Sequence, residues 1–332
     1  MALRLGIGVA LIGLLLWAGL LDVAVLAAAL RHPLLLVAAL LALFGTLLVA
    51  ALRWHILLRV QSIRLPGLST LRVVLASSFF STFLPGALGG DLLRSAYIVR
   101  AAHGRASTGL LSIVMDRALG LAGLLVVSAL VALAHPRLVP HEITAVLSTT
   151  VLVLGAAVLL LSRIARALAR GAPRPPRSWR AGLAKSMHEL DTAIATYRRA
   201  TRALAAGLLL SMLVCALDIA GLLLVTRAIG IDALPWMQQA LACTLALIAN
   251  TLPFTPGGLG VGEAAFANVA LVLEPVHTGA PYATAFLAYR CVTILSTVPG
   301  AFVGLRLPPR RRSQRPAHAS SRWRVAPRDD RG

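Results

Sequence analysis

Two arginines lie deep inside long apolar stretches of this sequence, where a charge is costly. At 1.5 Å per helical residue, Arg117 and Arg290 would lie roughly 12–15 Å deep, near the middle of a ~30 Å hydrocarbon core. A central arginine costs about 2.5–3.5 kcal/mol on insertion scales, so it normally faces a cavity or a partner. A guanidinium suits an anionic group such as a lipid phosphate. The alternative is structural pairing with one of four carboxylates: Asp91, Asp116, Asp218 or Glu263.

A proline-glycine break and then a carboxylate precede each arginine. Residues 85–89 read Pro-Gly-Ala-Leu-Gly and residues 256–260 read Pro-Gly-Gly-Leu-Gly, followed by Asp91 and Glu263. Proline removes a donor and glycine disorders the backbone, so neither stretch continues a regular helix. The arginines follow the aligned prolines by 32 and 34 residues, so the arrangement is repeated. The break residues are Pro85, Gly86, Gly89 and Gly90 in the first copy and Pro253, Pro256, Gly257, Gly258, Gly260 and Gly262 in the second.

The two acids allow two interpretations. Carboxylates in a first turn stabilise a helix N-terminus, whereas in a cavity they would bind a substrate amine or a proton. Arg94, one turn after Asp91, would pair with that acid or reach a headgroup. Asp218, deep in a later apolar run, is a candidate proton relay. The predicted substrate-binding residues are Arg94, Arg117, Arg290, Asp91 and Glu263.

The composition is that of a polytopic membrane protein. Of the 332 residues, 58% are hydrophobic and 13% charged, against roughly a quarter charged in soluble domains. The net charge of +20 reflects arginines on one predicted side of the membrane, so no nucleic-acid partner is predicted. The three cysteines are widely spaced within apolar runs and predict neither disulfides nor a metal site. No catalytic constellation or nucleotide motif stands out, so no catalytic residue or cofactor is predicted.

Six apolar runs predict transmembrane helices, at about 5–21, 34–52, 107–134, 143–162, 203–226 and 282–305. Two shorter pieces contain the breaks and predict re-entrant hairpins, at about 73–100 and 235–273. Irregular backbone in lipid leaves polar groups unpaired, so each break must be buried in protein or line a wet cavity. Four arginines ahead of the first hairpin are interpreted as one basic loop: Arg53, Arg59, Arg64 and Arg72.

These elements predict an all-α fold of two membrane repeats, 1–134 and 143–305. Each repeat crosses the membrane three times, so the second is inverted and the two hairpins enter from opposite sides, as in secondary transporters. The distribution of basic residues places both termini in the cytoplasm. The basic loop at 163–202 contains an amphipathic helix, lying on the headgroup surface or on the protein's own cytoplasmic face. The arginine-rich residues 306–332 predict a disordered cytoplasmic tail.

At these motifs the chain resembles the lysylphosphatidylglycerol synthase transmembrane family, the flippase-like integral membrane proteins. The resemblance covers about 5–305 and implies a bacterial inner-membrane protein related to a lipid-translocating region. Larger members carry an aminoacyl-transferase domain, and lysyl transfer is not expected of this chain. Asp91 stands where the family usually has Glu. The motifs are Phe-Leu-Pro-Gly-Ala-Leu-Gly-Gly-Asp-Leu-Leu-Arg at 83–94, Met-Asp-Arg-Ala-Leu-Gly at 115–120, Pro-Phe-Thr-Pro-Gly-Gly-Leu-Gly-Val-Gly-Glu at 253–263 and Tyr-Arg at 289–290.

Together, the residues and the resemblance predict a protein that moves a lipid or lipid-linked anionic headgroup between leaflets, with membrane lipids as partners. Arg117 and Arg290 would hold the phosphate, while Asp91 and Glu263 balance the charge. One rival is a membrane-embedded transferase that uses a polyprenyl-phosphate substrate, with either acid as base. Another is a scaffold whose motifs only permit helix packing. The sequence leaves a homo-oligomer open.

Overall fold

The computed structural model describes residues 29–83, 88–102, 105–134, 189–231, 234–251, 260–274 and 281–304, with isolated positions between 140 and 149. Every regular element in these ranges is helical. The predicted spans 5–21 and 143–162 and the tail 306–332 lie outside the described residues. In addition to a helical segment at 189–199, the helices are α1 (Pro33–Val60), α2 (Gly67–Phe83), α3 (Leu88–Ala101), α4 (Ala106–Ala134), α5 (Thr201–Ala228), α6 (Trp236–Ala249), α7 (Val261–Leu273), α8 (Tyr282–Thr297) and α9 (Pro299–Gly304).

Four helical stretches are long and apolar enough to cross a membrane: α1, α4, α5 and Tyr282–Phe302. They coincide with the predicted second, third, fifth and sixth apolar spans, whose helices are thereby confirmed. The 28 residues of α1 measure about 42 Å, which is enough to cross the hydrocarbon core and reach the headgroups. The chain is therefore a membrane protein with several apolar helices.

Two boundaries differ from the prediction. The predicted basic loop is wrong, because Arg53 and Arg59 lie on α1 and Arg72 lies on α2, which leaves only Arg64 in the connection. A charge near the end of an apolar run looks like a loop residue, but Arg53 is neutralised by a carboxylate from a distant helix. The predicted sixth span is divided into α8 and α9 at Pro299, which has no amide hydrogen to continue the helical ladder.

Two pairs of shorter helices flank the proline-glycine breaks. The first pair, α2 and α3, has 17 and 14 residues, and the second, α6 and α7, has 14 and 13. In each pair the two helices pack together, and the second also packs on the long helix that follows, α4 or α8. Six of the predicted break residues lie outside the described residues: Pro85, Gly86, Pro253, Pro256, Gly257 and Gly258. Gly89 and Gly90 lie in the first turn of α3.

Helices α1 and α5 make the most extensive helix contact in the described ranges. One apolar core gathers around α6, α7 and α8, where the rings of Phe266 and Phe286 stack with centroids 5.3 Å apart. A second core packs around Trp54 of α1 and includes residues of α2, α3 and α4. The charged side chains of the two halves are therefore held on helices that are fixed by apolar packing on at least one face.

The described end of the predicted amphipathic helix packs on the protein itself. Tyr197 is buried and donates its hydroxyl to the Leu57 carbonyl oxygen of α1 at 3.1 Å. The Gln61 side-chain amide donates to the Ala193 carbonyl oxygen at 2.9 Å. Of the two predicted locations, these contacts favour the protein's own face for residues 189–199. The earlier part of that amphipathic pattern lies outside the described residues.

Candidate functional site

The first acid and the first membrane arginine form a two-point ion pair. Asp91 lies in the first turn of α3, and Arg117 lies on α4. Arg117 donates through Nη2 to Asp91 Oδ1 at 2.8 Å and through Nε to Oδ2 at 3.2 Å. This fork-like arrangement is the geometry in which guanidinium binds carboxylate or phosphate best. The side chains are 53% and 24% exposed, so other groups can reach the pair.

The second acid and arginine form the corresponding pair, but their side chains are almost fully buried. Arg290 Nη1 of α8 lies 3.1 Å from Oε1 of Glu263, the first-turn acid of α7. Arg290 Nη2 also donates to Asn250 Oδ1 at 3.2 Å. Glu263 Oε2 accepts the Gly260 backbone N–H at 2.8 Å, so this carboxylate both caps α7 and neutralises Arg290. The side chains of Arg290 and Glu263 are only 11% and 7% exposed.

A glycine directly before each acid lets the paired helices approach closely. A Cβ built on Gly90 would overlap the Ser77 carbonyl oxygen of α2, and one built on Gly262 would overlap the Asn250 side chain at the end of α6. In both halves, therefore, a glycine lies at the close contact within the short helix pair, and the acid follows it directly. The arginine that pairs with this acid lies on the next long helix, α4 or α8. The structural pairing that the sequence left open is present in both halves of this structure.

Asp116 forms a separate, more deeply buried ion cluster with two arginines. Its Oδ1 accepts from Arg53 Nε at 2.7 Å and its Oδ2 accepts from Arg94 Nη1 at 3.0 Å. Two serines complete the cluster, because Arg94 Nε donates to Ser77 Oγ and Arg53 Nη1 donates to Ser211 Oγ, each at 2.8 Å. One carboxylate thus joins α1, α3 and α4, and the serines extend the network to α2 and α5.

Trp54 supports this cluster from one side. The Arg94 guanidinium carbon lies 5.2 Å from the centroid of the Trp54 ring, a cation–π distance. The indole Nε1 donates to Ser112 Oγ at 3.2 Å, which fixes the ring. Arg94 therefore forms its salt bridge with Asp116, not with Asp91 as one interpretation of the sequence expected.

The sequence analysis did not assign Arg53 to the site. The available signal was Asp116, a second charge inside an apolar helix that points away from its neighbour Arg117 and therefore needs a partner of its own. That signal requires a cation from another element but does not say which one. Only the packing of α1 and α3 against α4 identifies Arg53 and Arg94.

Asp218, the predicted proton relay, lies on α5 and contacts α8. The Tyr289 hydroxyl donates to Asp218 Oδ1 at 3.1 Å. Tyr289 immediately precedes Arg290, so Asp218 is joined to the helix that carries the second arginine. Among the described residues, no His, Cys, Asp or Glu side chains come together in threes that could hold a metal ion.

Comparison with protein families supports the resemblance found in the motifs. The family model described as "Lysylphosphatidylglycerol synthase TM region" matches residues 1–304. No curated protein matches the chain. The matched range includes both acid–arginine pairs and the buried Asp116 cluster. The chain therefore belongs to the lysylphosphatidylglycerol synthase transmembrane-region family.

Proposed function

We propose that this protein moves a lipid, or a lipid-linked group with an anionic headgroup, between the leaflets of a bacterial inner membrane. The observation that carries the proposal is the acid–arginine pair behind each break. A phosphate offers a guanidinium the same two acceptor oxygens that a carboxylate offers. A lipid phosphate can therefore replace Asp91 on Arg117, or Glu263 on Arg290, without leaving the arginine unpaired inside the membrane.

The unequal exposure of the two pairs supports an alternating mechanism. Arg117 is accessible and Arg290 is nearly enclosed, although their sequence settings correspond. In the proposed cycle, this structure is the state in which the first pair receives a headgroup. The opposite state opens the Glu263–Arg290 pair and closes the Asp91–Arg117 pair. Exchange of conformations between two repeats is how inverted-repeat transporters expose one site to each side in turn.

The packing of the described helices supports two repeats, 1–134 and 143–305, as the units that move. Helix α1 corresponds to α5, the α2–α3 pair to the α6–α7 pair, and α4 to α8, and corresponding helices make corresponding contacts. The proposal includes six spans, two re-entrant hairpins of opposite orientation and both termini in the cytoplasm. The buried Asp116 ion pairs would hold the first hairpin to α1 and α4 within the first repeat.

Asp218 is proposed to couple this movement to protons. In the described part of the chain its carboxylate meets the Tyr289 hydroxyl and no cationic side chain. An ionised carboxylate inside a membrane is expensive without such a partner, so protonation stabilises this arrangement. Release of the proton would favour a different packing of α5 against α8, next to Arg290.

The rival transferase needs a carboxylate that is available as a base. Asp91 accepts two hydrogen bonds from Arg117, and Glu263 is engaged by Arg290 and by the Gly260 amide. Both carboxylates are therefore already engaged by donors, and neither is free to take a proton from a substrate in this arrangement. No observation in the described ranges favours the transferase over the lipid transporter.

Lipid movement in proteoliposomes tests the proposal. Fluorescent phospholipids in the outer leaflet are quenched from outside, so the rate of exchange between leaflets can be followed. Loss of one charge-assisted contact of ~1.5–3 kcal/mol predicts that Arg117→Gln and Arg117→Ala/Arg290→Ala slow exchange by about tenfold or more. Removing two exposed arginines elsewhere, Arg198→Ala/Arg199→Ala, is the matched control and should change the rate less than about twofold.

Arg117→Gln keeps this test interpretable if the double variant fails to fold, because the Arg117 side chain is half exposed. The proposal fails if folded wild-type protein moves neither anionic nor zwitterionic lipid. It also fails if folded Arg117→Gln exchanges lipid at the wild-type rate. Turnover of a polyprenyl-phosphate sugar donor by the same preparation would establish the transferase instead.

A further inference from the structure

The turn between α1 and α2 is a rigid structure. Helix α1 ends in a Schellman-type arrangement, in which Ser62 N–H donates to the Arg59 carbonyl oxygen at 2.9 Å and Ile63 N–H donates to the Leu58 carbonyl oxygen at 3.0 Å. Ile63 is buried beneath the turn. Arg105 donates from Nη1 to the Gln61 carbonyl oxygen at 3.3 Å, and from Nη2 to that of Ser62 at 3.4 Å. The turn is thus held by the burial of Ile63 and by Arg105, the residue that precedes α4.

A basic groove of about 540 Å³ is lined by residues of this turn and by the residues that follow it. It combines two guanidinium groups with a hydroxyl, and no acidic side chain is among its described lining residues. Neither arginine forms a salt bridge with a described residue, in contrast to Arg53, Arg94, Arg117 and Arg290. The lining residues are Arg59, Ser62, Arg64, Leu65 and Pro66.

A neighbouring cavity differs from the groove in the charges of its lining residues. The second cavity, of about 290 Å³, lies on the other side of Ser62 and faces the helical segment 189–199. Its lining contains one arginine and one acid, Arg105 and Glu189, and Arg105 is already bonded to backbone carbonyls. Two arginines without a facing acid are therefore a property of the groove at 59–66.

The groove lies where a membrane helix reaches the headgroup layer. Because the length of α1 exceeds the ~30 Å hydrocarbon core, its last turn, with Arg59, lies at the interface. Leu68, in the first turn of α2 and two residues after the lining residue Pro66, is a large exposed apolar side chain. A ligand with a phosphate for the arginines and an acyl chain for this apolar surface satisfies both features. Basic pockets at membrane-helix ends suit such headgroups.

We propose that the groove formed by Arg59, Ser62, Arg64, Leu65 and Pro66 binds the phosphate of an anionic phospholipid in the leaflet at the C-terminal end of α1. This site is separate from Arg117 and Arg290, and its occupancy does not require that the protein translocates anything. The bound phosphate would bridge the end of α1 and the residues that lead into α2. A resident lipid would thereby hold the first helix pair against α1.

Photocrosslinking of the full-length protein locates the bound lipid directly. A phosphatidylglycerol with a photoreactive headgroup is added to protein in an uncharged detergent at about 150 mM salt, where long-range attraction is screened. The expected result is crosslinking within 59–66 that unlabelled phosphatidylglycerol displaces and phosphatidylcholine of the same chain length does not. Losing two charge-assisted phosphate contacts in Arg59→Ala/Arg64→Ala lowers the yield by about tenfold or more.

The matched control is again Arg198→Ala/Arg199→Ala, which removes the same charge from the exposed surface and should retain the crosslink. Unchanged crosslinking at 59–66 in Arg59→Ala/Arg64→Ala overturns the proposal, as does an equal loss in the control variant. Displacement by inorganic phosphate as effective as that by phosphatidylglycerol assigns the groove to a soluble anion, which also overturns a lipid site. Because the readout is local, failure here is independent of the translocation assay.

Discussion

The guanidinium of Arg117 contacts both carboxylate oxygens of Asp91, yet half of the Arg117 side chain remains exposed. Arg290 and Glu263 make the corresponding pair with almost no exposure. An acid and an arginine at corresponding places in the sequence are thus accessible in the first pair and almost fully buried in the second. This difference has a consequence for stability as well as for ligand access.

The two pairs should contribute unequally to stability. Arg290→Ala leaves the buried Glu263 carboxylate without its cation and should cost about 3–5 kcal/mol. Arg117→Ala leaves Asp91 with a side chain that is still 24% exposed, so its cost should be smaller than that of Arg290→Ala. Denaturant unfolding of the detergent-solubilised variants, followed by far-UV circular dichroism, measures both. An equal or larger loss in Arg117→Ala would contradict the assignment of open and closed pairs.

Asp116 should be less replaceable than either of its arginines. Asp116→Asn leaves Arg53 and Arg94 buried without a carboxylate, and should destabilise the protein by more than about 3 kcal/mol. Arg53→Met keeps the apolar stem and leaves the Arg94–Asp116 pair intact, so its cost should be smaller. Unfolding of the two single variants and the double variant gives the coupling energy. A larger cost for Arg53→Met than for Asp116→Asn would exclude the shared-carboxylate arrangement.

Gly90 should not tolerate a methyl group, although it lies in a helix where alanine is normally favoured. Its added Cβ would overlap the Ser77 backbone of α2, so Gly90→Ala should cost about 1–3 kcal/mol or more. Gly67, in the first turn of α2, has no atom within 4 Å of a built Cβ and serves as the control. Gly67→Ala should be neutral or stabilising by up to ~1 kcal/mol. Equal melting temperatures for the two variants would refute the close contact at Gly90.

Ser62 should be improved by glycine. Its φ of 56° is a left-handed conformation, and it occupies the position after α1 where helices commonly carry glycine. Removing the Cβ relieves a strain of about 1 kcal/mol, so Ser62→Gly should raise the melting temperature. Ser62→Ala retains the Cβ and should not. A stabilisation by alanine equal to that by glycine would show that the hydroxyl, and not the backbone conformation, is responsible.

Local patterns in the sequence predicted the helices well because apolar runs must become helical in a bilayer. The third apolar run, predicted at about 107–134, is observed as Ala106–Ala134, and the fifth, at about 203–226, as Thr201–Ala228. The end of α1 was predicted eight residues too early, since Arg53 looks like a loop charge until its partner is known. The repeated breaks also indicated that the acid and the arginine of each half belong to the same site.

Sequence spacing could not predict which acid pairs with which arginine inside the membrane part of the chain. Arg94 is three residues from Asp91 and Arg117 is 26 residues away, yet the packing of α3 on α4 pairs Asp91 with Arg117. Arg94 turns towards Asp116 because Ser77 and Trp54 complete its surroundings from two other helices. These contacts join residues from different helices, so no local pattern contains them.

The shared carboxylate of Asp116 also constrains how the protein is made. Arg53 precedes Asp116 by 63 residues, so α1 leaves the ribosome and meets the insertion machinery before its counter-charge has been synthesised. Arg53 lies about two helical turns from the end of α1, near enough to an interface for its long side chain to reach water at first. Burial of Arg53 must then wait for α4. Helix packing in the membrane is therefore a second stage. Helix α1 is already inserted when Asp116 is synthesised and becomes available to pair with Arg53.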